Sequence, residues 1–212
     1  MFRFELLEPR DLSETFSLLA EHREKAKIIA GGQGLLPLLK HRLITPYYLI
    51  DIKGLPGLEY ISNGTDNLRI GALATHRAIE TSALVNERYP ILAELEQRLG
   101  CVQTRNWGTF VGNLCQATPT GDPAPALIAL GAKVKAVNVR GKRWIPLDEF
   151  FVDYLKTTLE PDEMVLEIQV PRLSPHTGGA YHKESVRMTD SPIASVGAVV
   201  NLNGESGVVC EA

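Results

Sequence analysis

Two runs of small residues hold most of what this sequence can offer to binding chemistry. The first is Ile28-Ile29-Ala30-Gly31-Gly32-Gln33-Gly34-Leu35-Leu36-Pro37. An apolar strand that feeds a glycine run and then a helix start is one way a chain holds phosphate. Glycines let the backbone come close and turn its N–H groups toward an anion, and the helix start adds a favourable dipole. Two common versions are excluded by residue type. Pro37 stands at the last glycine position of a G-x-G-x-x-G fingerprint beginning at Gly32, and Leu35-Leu36 replace the Lys-Ser/Thr pair of a P-loop. A plain strand-to-helix turn is the other reading of the same residues.

The second run is Gly108-Thr109-Phe110-Val111-Gly112-Asn113, followed by Ala117-Thr118-Pro119-Thr120-Gly121-Asp122. It offers hydroxyls, an amide and one carboxylate. That inventory suits a polyhydroxylated ligand with a pyrophosphate better than acid–base catalysis. Backbone and hydroxyl donors meet phosphate oxygens, and Asp122 accepts from ribose-type hydroxyls. Taken alone, Asp122 before Pro123 also reads as a helix N-cap.

Other chemistry-bearing residues form no constellation. His22, His41, His76, His176 and His182 lack metal-ligand spacing, and no G-x-S-x-G nucleophile elbow occurs. Cys101, Cys115 and Cys210 are widely spaced, with no C-x-x-C pair. They make neither a disulfide framework nor an iron–sulfur ligand set. Trp107 could stack on a ring, although buried Trp more often fills space. No catalytic residue and no metal ligand is expected.

The two runs together resemble the FAD-binding signatures of the molybdenum hydroxylase flavoprotein family. This is the medium subunit of carbon-monoxide-dehydrogenase-like and xanthine-dehydrogenase-like enzymes. Ala30 to Pro37 follow Ala-Gly-Gly-x-Ser-Leu-(Leu/Ile)-Pro in all defined positions but one. Gly108 to Asn113 stand where the family has Gly-Thr-(Ile/Leu)-Gly-Gly-Asn, with Asp122 nine residues beyond the Asn. The flanks Leu35 to Asp51, Ala124 to Ala132, Asp162 to Ile168 and Tyr181-His182-Lys183 are also similar to family sequence.

The resemblance implies FAD as cofactor and an FAD-bearing electron-transfer subunit as function. It implies an α+β FAD-binding domain of two subdomains, followed by a truncated C-terminal α/β domain. Ile29, Ala30, Gly31, Gly32, Gln33, Gly34 and Leu35 would cradle the pyrophosphate. Thr109, Gly112, Asn113 and Thr118 would hold the other side of the cofactor, and Asp122 would take a cofactor hydroxyl. Val165 would pack against the flavin or adenine, and Lys183 would approach the flavin. An ammonium there would favour the anionic reduced state. Implied partners are an iron–sulfur small subunit, a molybdopterin large subunit and an external electron acceptor (NAD, a quinone or other). Gly34 stands where the family has Ser, and Val111 where it has the first glycine of a pair. Those departures motivate an alternative, a docking subunit with weakened FAD binding. A stand-alone flavin oxidoreductase is a third reading.

The elements that must position these residues follow from patterning. Phe2, Phe4 and Leu6 alternate as a strand, and a helix starts at Asp11 or Ser13 with Leu12, Phe16, Leu19 and Ala20 as its apolar stripe. Lys27 to Ala30 and Tyr48 to Ile52 read as strands, with a helix over Leu35 to Arg42 between them. A hairpin is expected around Asn63-Gly64 and another around Arg140-Gly141-Lys142. Helices are expected over Thr75 to Val85, Pro90 to Leu99 and Pro123 to Leu130, and a long functional loop over Gly100 to Pro123. Strands follow at Glu163 to Val170, Gly179 to Arg187 and Ala194 to Leu202, with a hairpin at Asn203-Gly204 and a return from Gly207. Pro171 to Gly178 is the linker candidate. The expected division is an FAD-binding domain over 1–175, with a subdomain boundary near 53–58, and the start of a C-terminal domain over 178–212.

Composition sets the outer bounds. The 212 residues carry 22 Lys plus Arg against 25 Asp plus Glu, so no cationic field draws in nucleic acid. With 44% hydrophobic residues the chain can build a core rather than remain disordered. The acidic N-terminus does not read as a signal peptide, and no apolar stretch is long enough for a membrane span. A reducing, cytoplasmic setting is expected. Ending inside a hairpin would leave an open sheet edge, which a partner or separate chain is expected to cover.

Overall fold

A computed structural model of the chain describes residues 3–187, 189–202, 204 and 209–211. The first part is a β-α-β-α-β unit: β1 (Glu5–Leu7), α1 (Leu12–His22), β2 (Ala26–Ile29), α2 (Leu35–Lys40) and β3 (Tyr48–Asp51). Its strands form a parallel sheet in the order β1-β3-β2. Asp11 caps α1 by accepting from the Glu14 N–H at 2.8 Å. Leu19 joins Ile50, Ile52 and Leu55 in a core that also takes Leu73 and Met164 from later in the chain. The first unit is thereby packed onto the second.

The second part opens with β4 (Ile61–Asn63) and β5 (Asn67–Gly71). Six helices follow: α3 (His76–Thr81), α4 (Ala83–Arg88), α5 (Pro90–Arg98), α6 (Val102–Trp107), α7 (Phe110–Gln116) and α8 (Pro123–Ala129). The chain then returns to strand as β6 (Lys133–Asn138), β7 (Gly141–Pro146), the small pair β8 (Phe151–Asp153) and β9 (Lys156–Thr157), and β10 (Met164–Pro171). A sheet of order β4-β5-β10-β6-β7, antiparallel throughout, backs the helices. Leu68, Ile70, Val134, Ala136 and Ile168 from the sheet meet Leu92, Leu95, Phe110 and Leu127 from the helices in the main core.

A third sheet closes the described chain: β11 (Thr177–Glu184), β12 (Ala194–Leu202) and β13 (Val209–Glu211), in that order. Its inner face lies on α5 and α8. Tyr181 is part of the main core, and a Cβ at Gly197 would sit 2.6 Å from the Ala126 Cα. Only glycine permits that approach of strand to helix.

Several expectations are corrected. The expected loop over Gly100 to Pro123 contains α6 and α7. Helix α7 forms because Thr109 caps it and Phe110, Val111 and Leu114 bury one face. The single helix expected over Thr75 to Val85 is two, since Ser82 leaves helical geometry and caps α4 by accepting from Val85 N–H. The linker shortens to the residues between β10 and β11. Phe2, Asn203, and the return of the last hairpin at Gly207-Val208 lie outside the described residues.

Candidate functional site

The two glycine runs meet backbone to backbone. A Cβ at Gly31 would fall on the Trp107 carbonyl oxygen and 2.8 Å from the Gly108 Cα. Gly31 is therefore fixed by contact with the second run. Gly32 has φ +72°, the left-handed turn from β2 into α2. Beyond it, among the described residues, the N–H groups of Gly32, Gln33, Gly34 and Leu35 find no backbone acceptor, while Leu36 N–H donates to the Gly32 carbonyl at 2.9 Å. Such a cluster of free donors is what a pyrophosphate requires. Ile29, at the end of β2, is packed with Leu39 and Leu49, and Ala30 flanks the neighbouring core.

The second run is anchored to the start of α3. Thr75 and Thr109 form an isolated antiparallel bridge, His76 N–H donates to the Gly108 carbonyl at 3.0 Å, and Phe110 N–H donates to the Ala74 carbonyl at 2.9 Å. Thr109 Oγ1 accepts from Gly112 N–H at 3.1 Å, and a Cβ at Gly112 would sit 2.5 Å from that oxygen. A side chain at 112 would push the Thr109 hydroxyl out of its capping position. Val111 lies within α7, outside the positive-φ residues, and is buried in the main core. The departure at 111 carries no backbone strain. At Gly34, a Cβ would meet the Gln116 side-chain oxygen at 2.5 Å. The Gln116 carboxamide occupies the space that the family's serine would enter. Thr118 is half-buried and accepts the Gly121 N–H at 3.0 Å, and Asn113 Oδ1 faces Gly121.

Asp122 does not cap α8; its side chain makes no capping bond. It turns instead to β11. Tyr181 donates its hydroxyl to Asp122 Oδ1 at 2.7 Å, and Lys183 Nζ donates to Oδ2 at 3.2 Å. Burial and the Asp122 hydrogen bond push the Tyr181 phenol well above its ordinary range. Lys183, 7% exposed, also donates to the Arg98 carbonyl at 3.2 Å. Arg105 donates to the Leu99 and Gly100 carbonyls and to Glu80. Two cations thus satisfy the open carbonyl end of α5. Sequence reasoning did not pair Asp122 with Lys183, because 61 residues separate the start of α8 from β11.

Val165 stands in β10, in the same core as Val111 and Leu114. Trp107 is 63% exposed, so it does not fill the core. Cys115 is half-buried against the main core, and burial pushes its thiol up to about 12, as expected of a packed residue. His76, set aside in the sequence, stands beside Gly108 and 3.4 Å from Asn113. Among the described residues no cluster of His, Cys, Asp and Glu could hold a metal, and no helix is long and apolar enough to cross a membrane.

The comparisons agree with this geometry. Residues 2–173 match the family described as FAD binding domain in molybdopterin dehydrogenase. The chain is 36% identical to the 6-hydroxypseudooxynicotine dehydrogenase complex subunit alpha of Paenarthrobacter nicotinovorans, over 94% of this chain and 68% of that one. It is 34% identical to the carbon monoxide dehydrogenase medium chain of Hydrogenophaga pseudoflava, over 96% of this chain and 71% of the relative. A solved structure of that organism's carbon monoxide dehydrogenase, lacking the Mo-pyranopterin moiety, superposes with a TM-score of 0.94 at 34% identity, covering 99% of this chain and 72% of the other. With both glycine runs meeting as a donor-rich cradle, the chain belongs to the FAD-binding domain family of the molybdopterin dehydrogenases, the flavin-carrying oxidoreductase subunits of molybdenum hydroxylases.

Proposed function

We propose that this chain is the electron-transfer flavoprotein of a molybdenum hydroxylase complex. It takes electrons from the iron–sulfur centres of a small subunit, served by a molybdopterin large subunit, and passes them to an external acceptor such as NAD or a quinone. The observation that carries this reading is the junction of Gly31 with Trp107-Gly108, which sets free N–H donors beside a second, hydroxyl-bearing run. Bound FAD supplies the reversible redox chemistry.

The chain's own residues bind and tune. Gly32 to Leu35 present backbone donors to the pyrophosphate, with Ile29 to Gly31 fixing their approach. Thr109, Gly112, Asn113 and Thr118 shape the opposite wall. Asp122 accepts hydroxyl donors, with its charge balanced by Lys183, so that a buried carboxylate is held beside the cofactor without a net charge. Lys183 keeps a positive charge near the flavin, and Val165 backs the wall from within the core. The division into 1–175, with an inner boundary near 53–58, and 178–212 is supported by the sheets: β1 to β3 form one sheet before the inner boundary, β4 to β10 form two after it, and β11 to β13, from Thr177 on, form a separate one.

The helical backbone at Val111 supports the flavoprotein over the docking-subunit alternative, whose remaining motive is the missing hydroxyl at Gly34. The test is purification with the iron–sulfur and molybdopterin partners. Stoichiometric flavin absorbance that bleaches on adding the complex's substrate, and returns with acceptor, is the expected result. Flavin content near zero would overturn the reading.

A further inference from the structure

Behind the second glycine run lies a buried polar chain that ends on the cradle at Asn113. Glu96 is 0% exposed and His76 2%. His76 Nδ1 is 2.9 Å from Glu96 Oε1, and Nε2 is 3.4 Å from Asn113 Nδ2. The His76 ring also touches the cradle. Its Cδ2 is 3.1 Å from where a Cβ at Gly108 would stand, and Gln33 Cγ of the first run is 3.4 Å from the same point. Phe110 holds the ring edge-to-face at 5.7 Å. Beyond, Asn113 Oδ1 faces the turn at Gly121, 3.1 Å from its Cβ position.

The chain has a direction. An amide Nδ2 only donates, so the imidazole nitrogen facing it accepts. The ring proton is then on Nδ1, where it is donated to Glu96. Glu96 Oε2 has no hydrogen-bond partner among the described residues. Burial pushes the Glu96 carboxyl above its ordinary range, against the pull of His76. A well-packed apolar side chain at 96 would avoid the cost of burying a carboxyl. The polar line that leads out of Glu96 runs through His76 to Asn113.

We propose that Glu96 is a positioning residue for FAD: by fixing the His76 ring tautomer it sets which way the Asn113 amide faces in the cradle. The inference rests on Asn113 belonging to the cradle. With the ring proton on Nε2, two N–H donors would oppose each other, and the amide would turn over. Its carbonyl would leave the Thr118–Gly121 side of the wall and an NH2 group would replace it there.

The test uses the full chain, titrated with FAD by quenching of flavin fluorescence, and ring 15N NMR for the His76 tautomer. Glu96→Leu removes the acceptor and is expected to weaken FAD binding about tenfold, the scale seen when outer partners that orient ligands are lost. Glu96→Gln still accepts from Nδ1 and is expected to stay within about twofold of the parent, with the Nδ1–H tautomer retained. Asn113→Ala should weaken binding at least as much as Glu96→Leu. A folded Glu96→Leu that binds like the parent, while Asn113→Ala binds weakly, overturns the positioning role alone. An Asn113→Ala that binds like the parent removes Asn113 from the cradle and the proposal with it. If Glu96→Leu does not fold, the parent's tautomer decides: an Nε2–H ring overturns the proposal, and an Nδ1–H ring with normal binding by Glu96→Gln upholds it.

Discussion

The two walls of the cradle are built on different principles. The wall over Ile29 to Leu35 is backbone: a strand end, one left-handed glycine and unpaired N–H groups, all within seven consecutive residues. The wall over Thr109 to Asp122 is side chain. Its amide is held by His76, its carboxylate by Tyr181 and Lys183, and those partners come from α3 and β11. A backbone wall tolerates exchange of side chains as long as nothing is added where two main chains touch. A side-chain wall depends on partners far away in sequence, and fails when one charge of a buried pair is removed.

The expected effects on the two walls follow that contrast. The largest effect is expected on the side-chain wall. Lys183→Met leaves Asp122 buried without its cation, which costs about 3–5 kcal/mol of stability. The double variant with Asp122→Asn should recover much of the loss in denaturant unfolding. If Lys183→Met alone is neutral, the pair does not organise this wall. On the backbone wall, Gly31→Ala drives a methyl into the Trp107 carbonyl. A loss of about 1–3 kcal/mol is expected, with flavin lost during gel filtration; full flavin retention would show that the two runs separate without consequence.

A pH experiment probes a charge cluster outside both walls. Tyr60 and Arg69 both bond to Glu167, in the sheet behind the helices. Burial works against the Glu167 charge, but Arg69, Tyr60 and Gln169 together hold its carboxyl below the ordinary value of 4.5. A carboxyl lowered in the folded state stabilises fully above its unfolded value. That stability is lost as pH falls through the window below about 4.5. Thermal melts of the parent should therefore fall more steeply in that window than those of Glu167→Gln. Parallel curves would show that the cluster carries no linkage. The smallest effect is expected for Gly34→Ser. The neighbour that must yield is the flexible end of Gln116, so stability should change by no more than about 0.5 kcal/mol, with FAD affinity unchanged. A large loss would mean that Gln116 is as fixed as the main chain around Gly31.

The local structure of the first wall is legible in the sequence, because its physics is local. A strand, a glycine run and a short helix are consecutive, and residue type reports backbone freedom directly. The sequence reading also placed Thr109, Gly112 and Asn113 by their order, with the helices α6 and α7 read as loop. Threonine, glycine and asparagine there suggested irregular chain, whereas the Thr109 cap and the buried Phe110, Val111 and Leu114 make a helix. His76 and Glu96 were invisible as a site, since a histidine and a glutamate 20 residues apart carry no spacing signal.

What the sequence determined by itself is the backbone chemistry: where the chain turns, where it exposes N–H groups, and the family that follows from two motifs in order. What the tertiary structure decided is the electrostatics. Only the packing of β11 onto α5, with β12 on α8, brings Lys183 to Asp122 and aims the carboxylate away from the helix it was expected to cap. The physical reason is that a buried charge is resolved by whichever partner the fold brings within hydrogen-bond reach, and no local pattern encodes that distance.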